Sequence, residues 1–99
     1  MKKIMLVCSA GMSTSLLVTK MQAAAKDKGV EVEIFACSEA EAKSRYHEVD
    51  ILLLGPQVRF LLPKIQKAVA ESHIPVAVID SVDYGTMNGA VVLEKALKL

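Results

Sequence analysis

The chain contains no tryptophan, two tyrosines and two phenylalanines, and its twelve Lys and Arg stand against eleven Asp and Glu with no basic run among them. A nucleic-acid surface needs clustered cations with aromatics to stack on bases, so nucleic acid is not an expected partner. Long apolar runs are missing as well. Stretches such as Ile51 to Leu54 fall far short of the roughly 20 residues that cross a bilayer, which rules out direct membrane insertion. Met1 to Ser9 superficially suggests a secretory signal. Its apolar part, Ile4 to Cys8, is about half a signal core and leads into glycine, serine and threonine, so it reads as a buried strand of a cytoplasmic protein. Cysteine is equally sparse: Cys8 and Cys37 lie 29 positions apart, with no Cys-x-x-Cys and no histidine close to either. That spacing fits neither a disulfide scaffold nor a zinc site, and reduced thiols without a metal are expected.

What is present is enough for one core. With 99 residues, 53% hydrophobic and 23% charged, the chain is a single domain over 1–99 and is not disordered. Apolar runs at Lys2 to Cys8, Val30 to Cys37, Ile51 to Leu54 and Pro75 to Ile79 read as strands covered on both faces. Between them the apolar positions recur at three and four. Leu17, Val18, Met21, Ala24 and Ala25 mark a helix from Thr14 to Lys28, closed by Gly29. Ser38 and Glu41 form a capping box for a short polar helix towards Tyr46. Leu61, Leu62, Ile65, Ala68 and Val69 share a face of a helix over Val58 to Ser72, with Pro63 near its first turn. Asp80 to Gly85 reads as a loop, and Met87 to Leu99 as a final helix. Alternating strands and helices predict an α/β fold: a four-stranded open parallel sheet, order 2-1-3-4 if the first strand is central, with helices on both faces. Ligand sites in such sheets lie at the strand carboxyl ends, here Cys8, Cys37, Gly55-Pro56-Gln57 and Asp80.

At the first of these ends, Cys8-Ser9-Ala10-Gly11-Met12-Ser13-Thr14-Ser15 places a thiol before a loop of small residues that runs into a helix N-terminus. Free amides of the loop and first turn, the helix dipole and the hydroxyls of Ser9, Ser13, Thr14 and Ser15 all favour an anion there. The same field favours thiolate over thiol, so Cys8 is expected to titrate below the roughly 8.5 of a free cysteine and to act as a nucleophile. A thiolate in a phosphate cradle suggests phosphocysteine chemistry. The plain alternative is a tight strand-to-helix turn behind an inert, packed cysteine. The loop lacks the Gly-Lys-Ser/Thr of a nucleotide P-loop and the Gly-x-Gly-x-x-Gly of dinucleotide folds, so neither ATP nor NAD is expected as a cofactor.

The run from Cys8 to Leu17 resembles the signature of the enzyme IIB components of the lactose, cellobiose and chitobiose class of the bacterial phosphoenolpyruvate-dependent sugar phosphotransferase system. Leu53-Leu54-Gly55-Pro56-Gln57, Ile79-Asp80-Ser81 and Tyr84-Gly85 fall where that family has such segments, so the resemblance spans nearly the whole chain. It implies that Cys8 accepts a phosphoryl group from a phosphohistidine on a IIA partner and passes it to a disaccharide, a cellobiose-like β-glucoside, bound by a membrane-embedded IIC component. It also implies a free-standing cytoplasmic protein with a fold like that of low-molecular-weight phosphotyrosine phosphatases. A phosphatase or arsenate reductase of that layout is the rival reading, with Asp80 as general acid. Those enzymes place an arginine six residues after the cysteine. Here that position is Thr14, and no arginine occurs before Arg45. A single hydroxyl cannot reproduce a bidentate guanidinium clamp.

The remaining polar and sulfur residues take plainer readings. Asp80 suits a turn or helix cap, because a carboxylate beside phosphocysteine would repel it. His47 and His73 read as solvated surface groups, and Cys37 as a packed or rim thiol, or as a redox partner of Cys8 if the two approach. Gln57 and Tyr84 lie at the same end of the sheet and either line the site or finish turns. Met5 and Met21 read as core filler, whereas Met12 protrudes from its loop, where an apolar side chain can contact IIA or IIC. Near-neutral charge and one site suit a monomer with transient partners. Met12→Asp is therefore expected to slow phosphoryl transfer from IIA, and an unchanged rate in a stopped-time transfer assay would sink the docking role.

Overall fold

The structure is a computed structural model and describes residues 1–8 and 12–99, with Met12 and Ser13 described in the backbone only. Four strands, β1 (Lys2–Cys8), β2 (Val32–Ser38), β3 (Ile51–Leu54) and β4 (Val76–Val78), form one parallel sheet in the order β2-β1-β3-β4. Both the expected order and the central place of β1 hold. Period-two alternation sends successive residues to opposite faces. Ile4, Leu6, Ile34, Ile51 and Leu53 pack on one side against Leu17, Met21, Val92 and Leu93. Met5, Val7, Cys37, Leu52 and Leu54 pack on the other against Tyr46, Leu61, Ile65 and Val69. Helices therefore cover both faces, and Ile4 to Cys8 are fully buried.

The first helix, α1 (Met12–Lys28), begins two residues earlier than the apolar pattern indicates, so Met12 starts a helix instead of standing in a loop; its side chain lies outside the described residues. Its far end follows the sequence closely. Gly29 adopts φ +68°, its N–H donates to the Lys26 carbonyl at 3.2 Å, and the Val30 N–H donates to Ala25 at 2.9 Å. This is the paired 5→2 and 6→1 arrangement that a left-handed residue makes possible, and it delays the second strand from the expected Val30 to Val32. The capping box is present too: Glu41 N–H donates to Ser38 Oγ at 3.3 Å and Ser38 N–H to Glu41 Oε1 at 3.4 Å. The helix it opens, α2 (Glu39–Ala42), is only four residues long, and a 3-10 turn over Tyr46–Glu48 follows.

Two further expectations need correcting. The helix foreseen over Val58 to Ser72 is broken into a 3-10 segment Pro56–Leu61, α3 (Leu62–Ala68) and a 3-10 turn Ala70–Ser72. Pro63 has no N–H to donate, so the Arg59 carbonyl takes the Leu62 N–H in a tighter turn and the α-helix starts afresh with Pro63 in its first turn. Ala68, assigned to the buried face, is exposed as a result. Asp80 to Gly85 is likewise not a loop: Ser81–Gly85 is a short helix, α4, with Asp80 as its N-cap. Five residues are too few to display an apolar period. The final helix, α5 (Gly89–Leu97), is capped by Asn88 and preceded by Met87 at φ 53°.

Gly89 sits where α5 crosses α1. A Cβ there would lie 2.5 Å from the Lys20 carbonyl carbon and 2.6 Å from the Met21 nitrogen, both backbone atoms that cannot swing aside. Gly89→Ala is expected to destabilise by about 1–3 kcal/mol, the range for overpacking a tight contact. Gly85→Ala, with nothing within 4 Å of the added atom, should be neutral or stabilising. Urea midpoints of the two variants, read against wild type, check both signs.

Candidate functional site

Cys8 is the last residue of β1, with no exposed surface, opposite Ser38 in the β1–β2 register. Its Sγ donates to the Cys37 carbonyl at 3.6 Å. The loop amides and hydroxyls expected around the sulfur belong to Ser9, Ala10 and Gly11, which lie outside the described residues, as do the side chains of Met12 and Ser13. Thr14 and Ser15 are described: Thr14 is buried, and Ser15, one residue on, is exposed.

The neighbouring strands end level with β1 and deliver their following segments to the same edge. Gly55 N–H donates to the Val7 carbonyl at 3.0 Å and Ile79 N–H to Leu54 at 2.8 Å, so the turn after β3 begins beside the end of β1 and the turn after β4 beside the end of β3. Three of the residues picked out from the sequence then meet. Thr14 Oγ1 lies 3.1 Å from the Tyr84 hydroxyl, and Gln57 Nε2 donates to that hydroxyl at 3.2 Å. Tyr84 thus ties the first turn of α1 to the turn after β3. Sequence reasoning placed these residues at one end of the sheet but had no signal for the contacts between them, which join positions up to 70 apart.

Asp80 is nearby but has a different task. Its Oδ1 accepts from the Val82 N–H at 2.8 Å and the Asp83 N–H at 3.3 Å, holding the start of the helix that carries Tyr84. Asp83 pairs with Lys95 at 2.7 Å, anchoring that helix to α5. Lys95 and Asp83 were not singled out from the sequence, since a pair twelve residues apart across two helices has no local pattern. The two histidines are exposed, as expected, and His47 Nδ1 lies 2.7 Å from Ser72 Oγ, well away from these residues in the fold.

The two cysteines occupy opposite faces of the sheet. Cys37 is paired with Val7 and packs with it on the α3 side, so Cys8, one residue on, points to the α1 side. A disulfide between them would require one strand to flip, which removes the redox-pair reading. Burial pushes the Cys37 thiol up, against the opposing pull of Arg45, whose Nη1 donates to Cys37 Sγ at 3.6 Å. The Arg45 guanidinium also stacks 4.4 Å from the Phe35 ring centroid and pairs with Glu48. It is therefore committed on the Cys37 side and does not clamp an anion at Cys8. Among the described residues no group of three or more His, Cys, Asp or Glu side chains is placed to hold a metal ion.

The family described as "PTS system, Lactose/Cellobiose specific IIB subunit" matches residues 3–95. The chain is 48% identical over 99 residues to the oligo-beta-mannoside-specific EIIB component of Bacillus subtilis (strain 168), covering 100% of this chain and 96% of that protein. It is 48% identical over 103 residues to the cellobiose-specific EIIB component of Lactococcus lactis subsp. lactis (strain IL1403), covering 99% and 95%. A galactose-specific EIIB component of Lactococcus lactis subsp. cremoris (strain MG1363) is 47% identical, with 99% and 95% covered. Two solved structures share the fold. The solution structure of a cellobiose-specific IIB component from Borrelia burgdorferi has a TM-score of 0.80 at 39% identity, covering 98% of this chain and 89% of that one. The lactose-specific IIB domain from Streptococcus pneumoniae has a TM-score of 0.89 at 16% identity, with 98% and 95% covered, and at that identity the likeness concerns the fold alone.

The capping role of Asp80 separates it from an acid catalyst. Asp80→Ala should cost about 0.5–2 kcal/mol, the usual loss for an N-cap, while Asp80→Asn, whose amide oxygen accepts the same two bonds, should stay near wild type in a thermal melt. A loss of phosphoryl-transfer rate in Asp80→Asn far beyond its change in stability would overturn the assignment.

Proposed function

The chain belongs to the lactose/cellobiose-specific IIB family of the sugar phosphotransferase system, and we propose that within it Cys8 is the residue that carries the phosphoryl group. IIB components are phosphotransferases that work between a IIA and a IIC component. For this chain, the observation that carries the assignment is the position of the Cys8 thiol: it ends the central strand, at the edge where Thr14, Gln57 and Tyr84 converge and four residues before α1 begins. The long α1 supplies the N-terminal dipole that favours an anion.

In this reading Cys8 attacks the phosphorus of a phosphohistidine on IIA in line with the leaving imidazole. The S–P bond forms as the P–N bond breaks, and the proton lost by the thiol balances the one gained by the imidazole nitrogen. Amides of residues 9 to 15 gather the charge on the three phosphoryl oxygens. In the second transfer a hydroxyl of the sugar held by IIC takes the phosphorus, the S–P bond breaks, and the sulfur recovers a proton. At the position six residues after Cys8, where the phosphatases place their arginine, this chain has Thr14, which suits an intermediate that must survive until the sugar arrives. We place the protein in the cytoplasm, where IIA works; among the described residues no helix is long and apolar enough to cross a membrane.

The sugar is set elsewhere. Relatives at 47% and 48% identity are named for oligo-beta-mannoside, cellobiose and galactose, so closely similar IIB chains serve different sugars. We propose a β-linked disaccharide of the cellobiose kind as the acceptor, selected by IIC.

Intact-mass measurement after incubation with phosphorylated IIA tests the carrier role. Wild type should gain one phosphoryl group that mild iodine removes, as it does from a phosphorus–sulfur ester, and Cys8→Ser should gain none while unfolding close to wild type, because a serine alkoxide is hard to form at neutral pH. Turnover of an aryl phosphate without a stable adduct would instead favour a phosphatase.

A further inference from the structure

Thr14 is the one buried polar side chain among the described residues, at 1% exposure. It lies six positions after Cys8, in the first turn of the helix that begins at Met12. A buried hydroxyl must find partners, and which partner supplies the hydrogen decides what the hydroxyl can do next. Its recorded partner, the Tyr84 hydroxyl at 3.1 Å, has one hydrogen to give. Gln57 biases where that hydrogen goes. Its Nε2 donates to the Tyr84 oxygen at 3.2 Å, and an amide nitrogen accepts nothing in return. The 3.1 Å contact admits either hydroxyl as donor; with Gln57 already filling one acceptor position of the Tyr84 oxygen, the arrangement inferred is the one in which Tyr84 gives its own hydrogen to Thr14 Oγ1. The Thr14 hydrogen is then not spent on Tyr84 and is available to an anion at the head of α1.

The backbone is shaped for this arrangement. Gly55 has φ −62° and ψ 149°, which any residue can adopt, so conformation does not require a glycine there. A Cβ on Gly55 would stand 2.8 Å from Gln57 Oε1 and 3.2 Å from its Nε2, so an added side chain would make the Gln57 amide swing aside. The missing side chain leaves room for the Gln57 amide to fold back over the end of β3 towards Tyr84.

We propose that Tyr84, with its hydrogen-bond direction imposed by Gln57 lying over Gly55, is a positioning residue for phosphoryl transfer, which makes Thr14 a donor to the phosphoryl group on Cys8. The proposal rests on the carrier reading above. In this role Tyr84 and Gln57 act through Thr14. Gln57→Glu replaces the donating amide by a carboxylate that only accepts. The Tyr84 hydrogen then turns to the carboxylate, Thr14 must donate to Tyr84, and its hydrogen is withdrawn from the phosphoryl group.

The test is single-turnover transfer from phosphorylated IIA, with the saturating rate and the half-saturating IIA concentration read separately for wild type, Tyr84→Phe, Gln57→Glu, Gly55→Ala and Thr14→Val, each checked for folding by a thermal melt. A donor hydrogen bond to a charged group is worth about tenfold or more in rate. Tyr84→Phe and Gln57→Glu should each lower the saturating rate by at least about tenfold, leaving the half-saturating concentration unchanged. Gly55→Ala should follow in the same direction. Adding Tyr84→Phe to Thr14→Val should slow transfer no further, since both act on one bond. A Gln57→Glu protein that transfers at the wild-type rate overturns the proposal even if Tyr84→Phe is poorly folded. So does a double variant in which the two losses multiply, since Tyr84 would then act without Thr14. A wild type that takes up no phosphoryl group at all is a different failure, which removes the carrier reading itself.

Discussion

β1 is hydrogen-bonded on both edges and covered by side chains on both faces, and the rest of the molecule is arranged around that burial. None of its amides or carbonyls between the two partner strands can reach water, so parallel neighbours of matching register are needed to satisfy them. Parallel pairing in turn forces each connection to cross over, and the crossovers are the helices. All strands then point one way and end on one edge, where Cys8 stops β1 and the Gly55 and Ile79 amides extend the ladders by one step each. A thiol in the next-to-last layer of such a sheet would be packing material. At the last residue it ends the strand four positions before α1 begins.

Within that edge, a very short helix has the largest consequence. α4 has five residues and could not persist alone, since helix initiation is costly. It is held by the Asp80 cap at its start, by the Asp83–Lys95 pair to α5, and by the Met87 and Asn88 turn that follows, where the Asn88 N–H donates back to the Asp83 carbonyl at 2.9 Å. The ion pair has an exposed lysine and contributes little by itself. Together these contacts fix where the Tyr84 ring lies, and Tyr84 gives Thr14 the polar partner that a buried hydroxyl requires.

Strand alternation also keeps the two sulfur atoms in separate environments. Cys37 shares the α3 side with Val7, under Arg45 and the Phe35 ring, while Cys8 faces α1 one residue later. The chain's first arginine is thus drawn to the opposite side of the sheet from the candidate nucleophile. A phosphatase needs its arginine and its thiol at one loop; here Arg45 is engaged instead by Cys37, Phe35 and Glu48.

The sequence alone carried most of what depends on local chemistry or on a period. Alternating apolar runs and helical spacing specify a parallel α/β sheet with covered faces, Gly29 and the Ser38–Glu41 box announce their own turns, and the segment after Cys8 points to an anion at a helix head. These are legible because each is written in residues a few positions apart. Three things were decided only by the tertiary structure. The break at Pro63 depends on which carbonyl is left without a donor, α4 is too short to show a pattern, and Gly89 matters because backbone atoms of α1 would come within van der Waals distance of an added Cβ. The Gln57–Tyr84–Thr14 chain belongs with these: its members are 27 and 70 positions apart, and only the common direction of the strands brings them to one edge.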